Sequence, residues 1–434
     1  MAASVVDTTL DVEAARAHFP ALKDGYIFAD NAGGSQCLKG VVDRISDYLL
    51  HTNVQLGAGY TVSVSSTARV NEGATATAEL LNALSPDEIV FASSSTAAVN
   101  NLAAAVAADI LDGEEIIVTG EHEANAGPWK RLAAQRRLPL KVWEHTPSPS
   151  QPNEPYAIEL ALATLLPLIT AKTRLVAFTA CSNLLGTVVD VAAVIRAVRA
   201  EAERHGARKL EVCVDCVAYA PHRRIDVQAW DVDYCFFSYY KVYGPHISVL
   251  YARSRALAGL PSLAHHFLRV GAQAYKVSPG GTGYELAYAS AGVLPYLRAL
   301  SPAGAVDDAF ARIATHEHVL LRTLLAYLSG ADARARGVRI VGDSEAGPRR
   351  APTVSFVVVG ERAVRSSDIV AYFDKKGKMG IRYGHFYAYG LVDSLRPKID
   401  LEDAIVRISL VHYNTVAEVD TLVDVLKDAL DALQ

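Results

Sequence analysis

A chain of 434 residues exceeds the ~250–300 residues at which a single hydrophobic core stops growing, so one large and one smaller packed region are expected. Half of it is hydrophobic and 21% is charged, which suits a globular α/β protein and excludes a disordered chain, while a net charge of −5 with scattered basic residues gives nucleic acid no footprint. No apolar run approaches the ~18 residues of a membrane span, Met1–Leu10 is acidic where a leader would be basic, and five cysteines (Cys37, Cys181, Cys213, Cys216, Cys235) are too few and too uneven for a disulfide framework, so a reduced, cytoplasmic protein with no membrane partner is expected.

From about Pro86 to Ala252, short apolar stretches alternate with helical ones. Glu88–Ala92, Glu115–Thr119, Arg174–Thr179, Glu211–Asp215, Tyr234–Ser238 and Ile247–Tyr251 read as strands buried on both faces. Thr96–Leu111, Ile158–Ile169 and Val191–His205 read as helices, the last ended by Gly206, and His145–Pro155 as a Pro- and Ser-rich surface loop. That order predicts an α/β fold around a mostly parallel sheet. Beyond Ser301 come a long helix (Ala305–Leu328), strands at Val338–Val341, Thr353–Val359 and Ile405–Leu410, and a terminal helix with Val419, Leu422, Val423, Leu426, Leu430 and Leu433 on one face. The expected division is a large domain over 21–295 and a small α+β domain from 1–20 and 296–434.

The apolar strand Val212-Cys213-Val214-Asp215 and the strand running into Ser238-Tyr239-Tyr240-Lys241 carry the strongest chemical signal. Parallel strands deliver their C-terminal residues to one rim, and an aspartate beside a lysine there suits a pyridoxal phosphate site. From these two residues alone, a turn-capping aspartate and a solvated lysine explain the pattern equally well. Phe91-Ala92-Ser93-Ser94-Ser95-Thr96 is a strand–helix junction whose free N–H groups could hold a phosphate, although helix capping is the commoner use of such a cluster. Cys213 and Cys216, three apart on a strand, point to opposite faces and read as packing; His265-His266 reads as a loop pair. No G-x-G-x-x-G opens a helix after a strand and no phosphate-loop motif is present, which argues against a dinucleotide oxidoreductase.

Five ordered segments, Glu121-His122-Glu123-Ala124-Asn125, Ser182-Asn183-Leu184-Leu185-Gly186-Thr187, Val214–His222, Ser238–His246 and Arg407–Thr415, resemble motifs of the class V aminotransferase superfamily, closest to its cysteine-desulfurase-like branch, over about Asp30 to Asp420. The resemblance implies a fold-type I, aspartate-aminotransferase-like large domain with a seven-stranded sheet, and pyridoxal 5′-phosphate as cofactor. It implies that Lys241 carries the cofactor as a Schiff base, that Asp215 pairs with the pyridine nitrogen, and that His122 stacks on the ring. By the same resemblance Ser95, Thr96, Ser238 and Tyr240 hold the phosphate. Gly281-Thr282 resembles a step that donates a phosphate ligand, Thr282, across a homodimer interface, which implies shared active sites. Asn183 falls where the family lines its substrate pocket and Arg407 where it binds the α-carboxylate, a role that a planar guanidinium suits.

Two departures limit the transfer. Persulfide-forming relatives place a nucleophilic cysteine on a C-terminal loop, whereas here no cysteine follows Cys235 and Gly380-Ile381-Arg382-Tyr383-Gly384-His385-Phe386-Tyr387 occupies that stretch. Ala218 stands where many relatives place a glutamine, and alanine donates no hydrogen bond. The expected function is a lyase or transferase acting at Cα or Cβ of an amino acid and forming no persulfide, with Arg382, His385 and the nearby tyrosines bearing on substrate choice. A cysteine or selenocysteine lyase, a decarboxylating carbon–carbon bond former and a catalytically silent cofactor-fold protein stay open as alternatives.

Overall fold

The computed structural model describes residues 9–269 and 274–434, so residues 1–8, most of the Met1–Leu10 start and part of the expected 1–20 segment, lie outside the described residues. Its centre is a seven-stranded sheet, in spatial order Ile89–Ala92, Ser248–Ala252, Tyr234–Ser238, Glu211–Asp215, Thr173–Thr179, Glu115–Thr119, Leu140–Trp143. Ser248–Ala252 runs antiparallel to both neighbours and the other adjacent pairs are parallel. The central strands are buried throughout, because helices cover both faces and each strand must be apolar on both sides.

Alternate residues feed opposite layers. Val212, Val214 and Cys216 join one core with Val194, Ile195 and Val198 of the helix Val191–His205, while Cys213 joins the other with Leu102 of Ser95–Val106 and Trp129 of Glu123–Arg136. The two cysteines are thus packing residues on opposite faces. Asp190 caps Val191–His205 by accepting from Ala193 N–H, and Gly206 ends it with φ +71°, a conformation that costs glycine little.

Two stretches differ from the reading of the sequence. Ile158–Ile169 is not a helix: Ile158–Glu159 pairs with Thr146–Pro147, and only Leu162–Leu165 and the 3-10 turn Leu166–Leu168 coil, since Pro167 removes an N–H and clashes with the preceding turn. The helix expected over Thr96–Leu111 is Ser95–Val106.

The C-terminal part forms an antiparallel four-stranded sheet in the order Val338–Val341, Thr353–Val358, Ile405–Ser409, Arg382–Gly384. Val416–Leu433 starts at a capping box, with Thr415 Oγ1 accepting from Glu418 N–H and the Glu418 carboxylate from Thr415 N–H. It buries Val419, Leu422, Val423, Leu426 and Leu430 in that sheet's core, whereas Leu433, at its last residue, is 39% exposed and outside the stripe. Val306–Leu328 ties the two cores together, with Phe310 and Ile313 in the large one and Leu320, Leu321 and Leu324 in the small one. Ile27–Phe28 pairs in parallel with Met379–Gly380, which brings the next turn, with Asp30, to the small sheet. Among the described residues no helix is long and apolar enough to cross a membrane.

Candidate active site

Every strand that leads into the site ends at one rim. Asp215 closes Glu211–Asp215, and Lys241 lies in the turn Tyr239–Lys241 just after the parallel neighbour Tyr234–Ser238, in register Asp215↔Phe236. Ser95 and Thr96 open a helix after Ile89–Ala92, His122 follows Glu115–Thr119, and Asn183 follows Thr173–Thr179. Ser248, on the antiparallel strand, reaches the same rim from its N-terminal end, opposite Ser238. One cavity is lined by Ser95, Thr96, His122, Asn183, Asp215, Ser238, Tyr240 and Lys241, with Cys181 and Ala218 completing its wall.

Burial dominates the electrostatics of this cavity. Lys241, 5% exposed, has its ammonium pKa lowered to about 8, first by desolvation and then by Arg407, against the pull of Asp215 and Asp30. Asp215 is raised to about 6 by desolvation, while the Val217 N–H at 2.9 Å and Lys241 draw it down. His122 is lowered to about 4 by desolvation and by the cations Lys241 and Arg407. Its Nδ1 accepts from Ala124 N–H at 3.1 Å, so the neutral ring carries its proton on Nε2.

These groups fit pyridoxal 5′-phosphate. Lys241 has no carboxylate within ion-pair distance among the described residues, a costly state for a buried amine that a carbonyl ligand relieves. At the other end three hydroxyls cluster: Ser95 and Ser238 Oγ at 2.8 Å, Ser238 and Ser248 Oγ at 2.7 Å, Ser95 and Ser248 Oγ at 3.3 Å. They sit at the start of Ser95–Val106, where Ser94 takes the Ala97 N–H and the N–H groups of Ser95 and Thr96 remain for an anion. Tyr240 is held by stacking on His246, ring centres 5.2 Å apart and 9° from parallel.

The residues assigned to the substrate are arranged differently from one another. Arg407 is buried; its Nη2 donates to Asp30 Oδ1 at 2.7 Å, its Nη1 to the Asn183 carbonyl at 3.0 Å, and its Cζ lies 3.7 Å from the centre of the Phe386 ring. Its Nε has no hydrogen-bond partner. Asn183 donates to the Phe386 carbonyl at 3.0 Å, and its turn needs Gly186, where φ is +69° and a Cβ would lie 2.3 Å from the Thr353 carbonyl. Arg382 and His385 do not line the Lys241 cavity; they line an adjoining groove with Tyr383, Phe386, Tyr387 and Tyr389. Thr282 lies in another groove, with Gln55, Tyr275 and Tyr284, away from the Lys241 of its own chain.

Ser248 and Asp30, which carry little local sequence signal, complete the surroundings together with Phe386 and Tyr387 of the stretch singled out in the sequence. Phe386 and Tyr387 adopt left-handed backbone conformations (φ +50° and +61°), which cost about 1 kcal/mol or more each and persist only where contacts hold them. Here Tyr387 sets its ring 5.4 Å from His122 and accepts from Glu123 N–H at 3.0 Å.

The family model for class-V aminotransferases matches residues 27–422, and the chain belongs to that family. It is 41% identical to the Aminotransferase-like protein FGM3 of Gibberella zeae, over 98% of this chain and 99% of that protein. It is 32% identical to the Cysteine desulfurase-like protein ustD of Aspergillus flavus, over 95% and 89%. Among solved structures it resembles the cysteine desulfurase CsdA of Escherichia coli, with a TM-score of 0.80 and 25% identity over 98% of this chain and 100% of that one. The protein is therefore a pyridoxal-phosphate enzyme of fold type I in the cysteine-desulfurase-like branch.

Proposed function

We propose that the enzyme acts at Cα or Cβ of an amino acid through Lys241, without forming a persulfide. The observation that carries this reading is the buried Lys241 amine sharing a cavity with Asp215, while the loop of the adjoining groove, which sets Tyr387 beside His122, carries Phe386 and Tyr387 and no thiol. Bound pyridoxal 5′-phosphate supplies an aldehyde that condenses with amines and a ring that draws electrons from Cα. Lys241, with its pKa near 8, offers a free amine to hold the cofactor and afterwards to take a proton from Cα or return one. Asp215 holds the proton on the pyridine nitrogen, and gaining that cationic partner favours its ionised form. His122 covers one face of the ring as a neutral, flat surface, and Ser95, Thr96, Ser238 and Tyr240 hold the phosphate. The Nε edge of Arg407 and the Asn183 turn take the substrate carboxylate; Arg382 and His385, one groove outward, meet its side chain or a second reactant. Thr282 completes the phosphate site of a second copy, making the enzyme a homodimer.

Loss of the α-proton leads to β-elimination or transamination, and loss of a carboxylate leads to carbon–carbon bond formation; cysteine or selenocysteine lysis is the elimination variant. Incubating the holoenzyme with single amino acids and assaying sulfide or selenide, CO₂ and oxo acid separates these. Sulfur left covalently on the protein after cysteine turnover would contradict the reading.

A further inference from the structure

Outside the residues that line the cavity lies a buried carboxylate that the mechanism above does not use. Glu121 is 3% exposed. Its Oε2 accepts from the Ser182 hydroxyl at 3.0 Å, and its Oε1 lies 3.0 Å from Nε2 of His145, a side chain that is itself 5% exposed. The contact with His145 has ion-pair distance without hydrogen-bond alignment, which leaves the bond to Ser182 as the directed one. Ser182 Oγ in turn accepts from Leu185 N–H at 3.0 Å and lies 3.4 Å from the Leu184 nitrogen, closing the turn that carries Asn183. The carbonyl of Asn183 receives Arg407 Nη1 and its amide holds Phe386. In the other direction Glu121 is bonded in sequence to His122, a residue of the cavity wall.

We infer that Glu121 is a positioning residue for the carboxylate end of the substrate, acting through Ser182 and the Asn183 turn on Arg407. A buried carboxylate left without partners is expensive, so this one keeps its place only where Ser182 and His145 meet it together. The Ser182–Asn183 turn is thereby pinned from behind, and the carbonyl that holds Arg407 is fixed with it. Nothing in this chain of contacts touches the cofactor's phosphate end, so the hold on the phosphate does not run through Glu121, whose charge reaches the cofactor site only through its repulsion of Asp215.

The inference rests on the reading that Arg407 and Asn183 receive a carboxylate, and the test separates the two. Holoenzyme is mixed with aminooxyacetate or with methoxyamine, two oxyamines that capture the cofactor's carbonyl and differ in that only the first bears a carboxylate; the loss of the visible band gives each rate. Wild type should prefer aminooxyacetate by at least 10-fold, and absence of that preference removes the parent reading and this inference with it. Given the preference, Glu121→Ala should lower the aminooxyacetate rate about 10-fold and leave the methoxyamine rate within about 2-fold. Glu121→Gln keeps an acceptor for Ser182 and should restore the rate to within about 3-fold of wild type, and Ser182→Ala, a smaller change that keeps the fold, should behave like Glu121→Ala. Equal slowing with both reagents, or wild-type selectivity in Glu121→Ala and Ser182→Ala, would overturn the role.

Discussion

Arg407 Nη2 donates to Asp30 Oδ1 at 2.7 Å, a bond across 377 positions of sequence that joins the small sheet to the turn after Ile27–Phe28. With Nη1 on the Asn183 carbonyl and Phe386 against its plane, the guanidinium is fixed on three sides and only the Nε edge lacks a partner. A fixed guanidinium recognises a carboxylate with little loss of side-chain entropy.

Replacing Arg407 by Gln should therefore raise the amino-acid concentration needed to perturb the cofactor's visible band by roughly 100-fold, on the order of the ~3 kcal/mol of charge-assisted hydrogen bonding lost. The cofactor should stay bound. Spectral titration with a responding amino acid measures this, and an unchanged midpoint would remove Arg407 from substrate binding.

Capture of the cofactor by the apoenzyme needs the neutral Lys241 amine. Because its pKa falls from 10.5 to about 8, the neutral fraction grows about tenfold per pH unit below that value and levels off above it. The sign for stability follows: between about 8 and 10.5 the unfolded chain holds a proton that the folded apoenzyme lacks, so this group makes the apoenzyme more stable as pH rises through that window, and the benefit is lost below about 8. Stopped-flow rates of band appearance from pH 6 to 9.5 should bend near 8; a rate still climbing tenfold per unit at pH 9.5 would mean that the lysine is not desolvated.

Thiol reagents should leave turnover unchanged. Cys181, the one thiol on the cavity wall, is buried, and desolvation pushes its pKa up to about 12, so it carries almost no thiolate at neutral pH. Iodoacetamide treatment of native holoenzyme at pH 7.5, followed by activity and peptide mass analysis, tests this; inactivation matched by labelling of Cys181 would point to thiol chemistry.

Ser248 should matter through Ser238 and Ser95. Its hydroxyl orients theirs at 2.7 and 3.3 Å, so Ser248→Ala removes a neutral hydrogen bond worth ~1 kcal/mol and should weaken cofactor binding about fivefold, whereas Ser238→Ala should weaken it 10-fold or more, since charged hydrogen bonds are worth about twice as much. Fluorescence titration of apoenzyme with the cofactor ranks the two, and equal effects would contradict the indirect role.

The sequence made the central strands legible because strands covered on both faces must be apolar throughout, as in Thr173–Thr179. The edge strand Leu140–Trp143 escaped, since only Trp143 in it is buried and no run of apolar residues marks it. Strand ends alone put Lys241 and Asp215 on one rim, because parallel neighbours share it, but left a turn-capping aspartate and a solvated lysine as equally good readings until the five ordered motifs were added. Ser248 was not: one serine opening an apolar strand says nothing until the antiparallel register sets it opposite Ser238. Asp30 reaches Arg407 from a turn whose position depends on how the two cores dock, information that no local pattern carries.

The central claim is that Lys241 holds the cofactor. Borohydride reduction of the holoenzyme followed by peptide mass mapping tests it most directly. The account predicts a visible band that reduction bleaches, one phosphopyridoxyl group fixed on the peptide containing Lys241, and loss of both in Lys241→Ala. No band after pyridoxal phosphate is supplied, or the label fixed on a different lysine, would contradict it.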